Sequence, residues 1–401
     1  MRQLLVVGVL AGSGVASRAA PVDRAPSAVH GAVSIVDVGA GGYTGYAVLS
    51  DGRVRAWGDN LEGQVGVAGP SRTVPVEVSG LSGAIAVAGG GNSGFALRRD
   101  GTLWAWGDDS GGELADERFT ARSTAARIRS LGLVIAVSAG AFAAYAIKRD
   151  GTAWSWGDNS FGQLGTGSDL AVSTMPGELR GLRNVRAVAA GSADGYALLR
   201  NGTVWAFGDN TLGQLGGARC GAELSGGRAP CRSSTLPRRV RGLTGVVAIA
   251  AGGDSGYALR RDGTVWAWGD DEFGELGDGE VRLDRQTPVQ VAGLHDVIAI
   301  AAGSCSGYAL LRGGTVWSWG QGTYGQLGDG GTTNHDLPVR VQGLTDVEQL
   351  VGGGDMAFAL QRSGTLWAWG DDEYGQLGDG SVVSRTLPAP VLDLPGSPGR
   401  T

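Results

Sequence analysis

Through most of the chain the apolar positions fall in short runs with a period of two. Gly, Asp, Asn or Pro breaks each run, a pattern that predicts short antiparallel strands and no long helix. In Val265-Trp266-Ala267-Trp268-Gly269 the two Trp side chains take one side of a strand, and Val265, Ala267 and Gly269 take the other. The run before it alternates in the same way, with Tyr257 and Leu259 against Gly256 and Ala258. A sheet that is bulky on one side and small on the other is expected to stack on a copy of itself. Both of its sides would then be buried.

The copies are present in the chain. A Trp-Gly phrase centred on Trp57 recurs at Trp106, Trp156, Phe207, Trp268, Trp319 and Trp369, with spacings of 49, 50, 51, 61, 51 and 50 residues. A period near fifty residues that contains four short strands predicts one propeller blade per copy. In the sixth copy those strands read Pro288–Val291, Val297–Ala301, Gly307–Leu311 and Thr315–Trp319. A dipeptide such as Asp51-Gly52, Asp150-Gly151 or Asp262-Gly263 joins the third and fourth, as expected of tight hairpins that set register. With this phase the first copy, near Ala32, lacks its opening strand, and an extra strand stands at Pro388–Leu392. The expectation is an all-β, seven-bladed propeller of four-stranded antiparallel blades, its ring closed by the C-terminal strand completing the N-terminal blade.

The repeated phrase, with Tyr-Ala-Leu, Asp-Gly-Thr-Val-Trp and Gly-Gln-Leu-Gly, resembles the repeat of the regulator of chromosome condensation family over about residues 32–396. The resemblance implies the same propeller. That family's repeat usually carries His before its Ala-Leu; here the positions hold Thr44, Ser93, Ala143, Asp194, Ser255, Ser306 and Met356. Guanine-nucleotide exchange on a small GTPase, which the resemblance implies as an alternative, loses support from that departure.

Composition and charge narrow the function. Gly is 74 of 401 residues without a Gly-X-Y period, which fits turns and close-packed strands and not collagen. A formal charge of −6 gives no overall basic footprint, so no nucleic acid is expected as partner. Residues 1–19, with Arg2, the apolar run Leu4–Leu10 and small residues near Ala16 and Ala19, read as a signal peptide. A linker at 20–31, the propeller at 32–396 and a tail at 397–401 would follow. The expected location is secreted or cell-surface, and cytoplasmic if the first segment is not a signal. No later run is long enough for a membrane span, and a monomer is expected. Cys220 and Cys231 bracket the one long insertion and are expected to pair in a disulfide, while Cys305 stands alone in a strand.

Candidate chemistry is sparse. Gly253-Asp254-Ser255-Gly256 spells a serine-protease string, but it is one copy of a strand that elsewhere reads Gly91-Asn92-Ser93-Gly94, and no His and Asp partners repeat with it. The acidic loops Asp270–Asp278 and Asp371–Asp379 lack the ligand ladder of a calcium loop and read as side-chain-capped turns. No catalytic residue, cofactor or metal is assigned. The twelve tryptophans are expected in the core. The candidate binding surface is the loop after each Trp-Gly pair, at Asp59, Asp108, Asp158, Asp209, Asp270, Gln321 and Asp371. The expected function is a non-catalytic scaffold that binds an unknown protein or ligand through propeller-face loops. The alternatives are the exchange factor, a secreted enzyme inhibitor and an unrecognised hydrolase.

Overall fold

The computed structural model describes residues 33–217, 231–280 and 284–398; the expected signal peptide, the linker and Cys220 lie outside the described residues. Seven four-stranded antiparallel sheets follow one another, and in each the strand order follows the chain. The first blade is β1 (Ile35–Ala40), β2 (Thr44–Leu49), β3 (Val54–Gly58) and β4 (Arg72–Glu77). The fifth is β17 (Val246–Ala251), β18 (Ser255–Arg260), β19 (Val265–Gly269) and β20 (Arg285–Gln290), and the seventh is β25 (Val347–Gly352), β26 (Met356–Gln361), β27 (Leu366–Gly370) and β28 (Arg385–Pro390). The opening strands of neighbouring blades touch one another, so they line the axis, and the closing strands form the rim.

This phase corrects the closure expected from the sequence. The Pro-x-x-Val strands close the blade before them instead of opening the one after, because the loop beyond Trp-Gly folds back as a long hairpin: Arg55 pairs with Glu77 and Ala56 with Val76. Accordingly β28 pairs with β27, Trp367 opposite Pro390, and completes its own blade. The C-terminal strand therefore does not enter the N-terminal blade. The first and seventh blades meet through side chains and loops alone.

The tight turns also differ in detail. At Asp262-Gly263 the Gly263 N–H donates to Arg260 O at 3.0 Å, and only Gly263 has positive φ, +81°. This is a four-residue turn ending in a left-handed Gly, not a two-residue primed turn. Asp262 instead caps it, accepting from Thr264 N at 3.1 Å and Thr264 Oγ1 at 2.6 Å.

Bulk is distributed differently from the expectation of one large and one small side. Gly256 lies opposite Trp268 and Tyr257 opposite Ala267, so each side of the sheet carries a bulky strand beside a small one. A Cβ on Gly256 would sit 2.4 Å from Trp268 Cε2, which is why that ring lies flat on its own blade. Trp268 then packs with Tyr196, Leu198 and Val204 of the preceding blade, and Tyr257 packs with Trp319 of the following one. The Tyr257 and Trp319 rings meet edge to face at 6.1 Å.

Polar atoms lock these apolar contacts in place. Tyr257 Oη donates to Glu275 O at 2.9 Å, and Trp319 Nε1 of the next blade donates to the same carbonyl at 2.7 Å. Gln64 O receives Tyr46 and Trp106, Gln214 O receives Tyr196 and Trp268, and Gln326 O receives Tyr308 and Trp369 in the same fashion. Four of the seven hairpin loops are thus pinned to their own blade and hooked onto the next, while Phe95, Phe207 and Phe358 leave the other three with one of the two bonds, at Glu113 O, Gln163 O and Gln376 O. Ring closure uses the same hook, from Trp57 Nε1 to Gln376 O at 2.9 Å. Of the twelve tryptophans six are fully buried in this way; Trp104, Trp154, Trp205, Trp266, Trp317 and Trp367 are half-buried toward the opposite end of the blades.

Candidate functional site

Antiparallel order places two loops of every blade on one end of the disc: the short loop between first and second strands and the longer loop after Trp-Gly. The longer loop is built by its own polar side chains. Its first residue caps the turn: Asp108 Oδ1 accepts from Ser110 N at 2.9 Å, Asp158 Oδ1 from Ser160 N at 3.2 Å, and Asp270 Oδ1 from Glu272 N at 3.2 Å. Asp59 and Asp209 do the same for Leu61 N and Thr211 N, and each also takes a hydroxyl from Ser71 or Ser233. Asp371 accepts from Ser384 Oγ, and Gln321 from Gln326 Nε2.

All seven residues expected from the sequence therefore occupy one station on one face. Asp59, Asp108 and Asp209 are buried there and the other four half-buried, so they shape the loops more than they present themselves. The outward position is the residue before the loop Gly, which reads Phe161, Leu212, Phe273, Tyr324 and Tyr374 in the third to seventh blades. Phe161 and Tyr324 are 48% and 46% exposed, and Tyr43 and Phe142 of the short loops are 41% and 48% exposed. The signal was present as a repeated aromatic before Gly, but it looked like part of the scaffold phrase.

These aromatics sit on acidic ground. The Tyr43 and Tyr374 rings meet edge to face at 5.4 Å across the junction of the seventh and first blades. Partial burial, then the charges of Asp355 and Asp371, hold the Tyr43 phenol above its ordinary range, with Tyr374 and Tyr324 also close by. Asp355 is itself pushed up by burial and by Asp371, against a hydrogen bond from Gln326 Nε2 at 3.3 Å. Beneath the fourth blade's loops Asp194 is fully buried, and burial drives its carboxyl well above the usual range although Tyr196 Oη donates to it.

A second feature of the face is a change of residue type at one station. Five blades have Gln before the loop Leu or Val, and the second and fifth have Glu113 and Glu275. The Gln amide donates back to the loop's first residue, Gln163 to Asp158 at 2.7 Å and Gln376 to Asp371 at 2.8 Å. A carboxylate has no proton to give. Burial first, and then neighbours that include Asp108 and Asp109, push Glu113 up to about 7. Burial, Asp270 and Asp271 push Glu275 up to about 8.

The serine-protease string supports no nucleophile. Ser255 is buried and donates to Tyr257 Oη at 3.1 Å, and that hydroxyl is committed to Glu275 O. Among the described histidines His335 pairs with Asp329 at 3.0 Å, and His295 is exposed in a linker at the opposite end. No group of three or more His, Cys, Asp or Glu with metal-binding geometry occurs among the described residues. Of the expected disulfide, Cys231 is buried and Cys220 lies outside the described residues; Cys305 is a free, half-buried thiol that burial pushes up.

Known proteins share both the sequence pattern and the ring. The chain is 38% identical over 152 residues to the human E3 ubiquitin-protein ligase HERC2, a stretch covering 37% of this chain and 3% of that protein. It is 31% identical over 169 residues to rat HERC4, a probable E3 ubiquitin-protein ligase, covering 41% of this chain and 15% of that one. The chain thus spans only a small part of these relatives. The crystal structure of Prp20p from Saccharomyces cerevisiae superposes with a TM-score of 0.73 at 21% identity, covering 84% of this chain and 85% of that one. Human WBSCR16 superposes with a TM-score of 0.69 at 20% identity, covering 87% and 95%. The model of the RCC1-like domain matches residues 11–297, and that of the regulator of chromosome condensation repeat matches 313–360 and 363–400. With the seven four-stranded blades, these matches establish that the chain belongs to the RCC1-like domain family.

Proposed function

We propose that this protein is a non-catalytic binding scaffold whose partner is a protein held on the acidic loop face. The exposed Tyr43 and Tyr324 and the half-buried Tyr374, beside Asp355 and Asp371, carry the reading. Aromatic side chains offer large contact area at low entropic cost, and they stand on a frame fixed by interblade hydrogen bonds. The acidic surroundings favour a partner patch rich in Lys or Arg. Export, with Cys220 and Cys231 joined in the long insertion of the same face, belongs to this proposal. Its tests are N-terminal sequencing of the mature protein and non-reducing peptide mapping.

The binding test is a comparison of partners captured by the wild-type protein and by a Tyr43→Ala/Tyr374→Ala variant whose melting temperature has been checked. A partner retained by the first and lost by the second supports the loop face. Capture unchanged by this variant and by replacement of residues 219–232, or substrate turnover abolished by a single Ser, Asp or His substitution, overturns the scaffold reading.

A further inference from the structure

We propose that the opposite face of the disc docks on an anionic phospholipid surface. The net charge of −6 hides a strong separation, because the acidic loops gather at one end of the blades and the arginines at the other. The turn between second and third strands opens with Arg99, Arg149, Arg200, Arg261, Arg312 and Arg362 in the second to seventh blades. All six are exposed, and none is in an ion pair among the described residues. One blade geometry repeats around the axis, so the six arginines stand at one station of a ring on one face. In the first blade Ser50 holds the station, and Arg53 nearby is paired with Asp51.

Acids do occur on this face, but they are outnumbered and partly engaged. Asp100, Asp150 and Asp262 cap their own turns. Asp296 and Asp346 are exposed in linkers beside Arg312 and Arg362. Arg200, Arg312 and Arg362 stand in turns with no acid of their own.

Three observations favour a bilayer over a nucleic acid. Base stacking needs open aromatic faces, yet three of the six half-buried tryptophans at this end, Trp104, Trp154 and Trp266, lie under Arg98, Lys148 and Arg260 at 5.5, 3.5 and 5.6 Å. Exposed aliphatic side chains accompany the ring: Leu133, 54% exposed, lies against the turn at Gly101, and Val36 and Ile85 are exposed at the same ends of their innermost strands. Such groups can enter the interfacial layer of a membrane. Finally, Ser34 and Gly396 are hydrogen-bonded at the turns of the first and seventh blades, so both ends of the described chain leave from this face. The residues that precede it include the apolar run Leu4–Leu10.

The test is sedimentation of the full chain with vesicles of phosphatidylcholine alone and of equal parts phosphatidylcholine and phosphatidylglycerol. Binding to the first reports residues 1–32 and the aliphatic groups; the excess on the second reports the arginines. A basic side chain near an anionic surface contributes about a fivefold gain in partition. Arg200→Gln/Arg312→Gln/Arg362→Gln should therefore lower the phosphatidylglycerol-dependent excess on the order of 100-fold, with an unchanged melting temperature because all three side chains are exposed. Raising the salt should do the same to the wild type. No excess on the anionic vesicles, an excess that survives the triple substitution in a folded protein, or arginine-dependent binding of a single-stranded oligonucleotide without binding of vesicles would each overturn the proposal.

Discussion

Replacing Glu275 by Gln should make the protein more stable in mild alkali and leave it unchanged in acid. Glu275 Oε2 accepts from Phe273 N at 2.8 Å, but Oε1 is buried without a hydrogen-bond partner. Around it stand Asp270 and Asp271 of its own loop, the Tyr257 hydroxyl that bonds its carbonyl, and Cys305 of the next blade, with Asp254 adding charge to the same region. The folded-state value near 8 lies above the ordinary 4.5, so the folded protein holds a proton that the unfolded chain releases. Stability from this group is fully present below about pH 4.5 and is lost as pH rises toward about 8. The whole shift corresponds to a ceiling of about 5 kcal/mol, and one buried unsatisfied acceptor costs about 1–3 kcal/mol. The substitution supplies the missing donor toward Asp270 and removes the titration. At about pH 8.5 it should gain about 1–3 kcal/mol, or roughly 1–4 °C for a chain of this length. At about pH 4 wild type and variant should agree within about 0.5 kcal/mol. Thermal melts by circular dichroism at the two pH values measure this. A gain equal at both, or a loss at the higher pH, refutes the assignment of the penalty to the buried Glu275 carboxylate.

Other substitutions probe the hooks and the rim. Trp268→Ala removes a fully buried ring and its bond to Gln214 O, and should cost about 3–5 kcal/mol in a denaturant titration. Phe95 is the second blade's equivalent of Tyr257, with Ser93 beside it as Ser255 is beside Tyr257; Phe95→Tyr would reach Glu113 O and should add about 1 kcal/mol by the same measurement. Gly269→Ala should destabilise, because φ is +104° and a Cβ would lie 2.3 Å from Asp254 O; a melting temperature equal to wild type would count against the close approach. Deleting residues 385–401 strips β28 and the buried Val391 and Leu394 from the seventh blade, and should produce a large fall in melting temperature or aggregation. Hydrogen exchange in the shortened chain should rise first in β27, its former partner, and a rise confined to the first blade would restore the strand-exchange closure.

Blade number, strand number and hairpin position were legible because each rests on local chemistry that recurs: Asp-Gly turns, alternating side chains and the Trp-Gly phrase. The blade boundary was not. A Pro-x-x-Val strand pairs equally well on paper with the strand before or after it, and only the ladder from Arg55 to Glu77 decides. The large and small sides were misassigned for a related reason, since alternation within β18 and β19 does not reveal that Gly256 faces the same side as Trp268. At the loop face the seven capping residues were found, because Asp after Trp-Gly is a turn signal. Tyr43, Tyr324 and Tyr374 were missed, since their gathering depends on three blades meeting. The arginine ring escaped because net charge averages over two ends of a disc.

Closure without strand exchange has a consequence for how the chain is cut. Every blade is one continuous segment, and Trp57 meets Gln376 at the same distance, within 0.1 to 0.2 Å, as Trp268 meets Gln214 or Trp319 meets Glu275. The junction of first and seventh blades keeps the hook that joins other neighbours and adds a bond from Gln349 Nε2 to Asp37 Oδ1 at 3.1 Å. Both chain ends open onto one face beside it. The molecule is therefore a natural substrate for circular permutation: a linker from residue 398 to residue 33 and new ends at the exposed turn near Gly242 would leave every blade whole and shift the break to another junction.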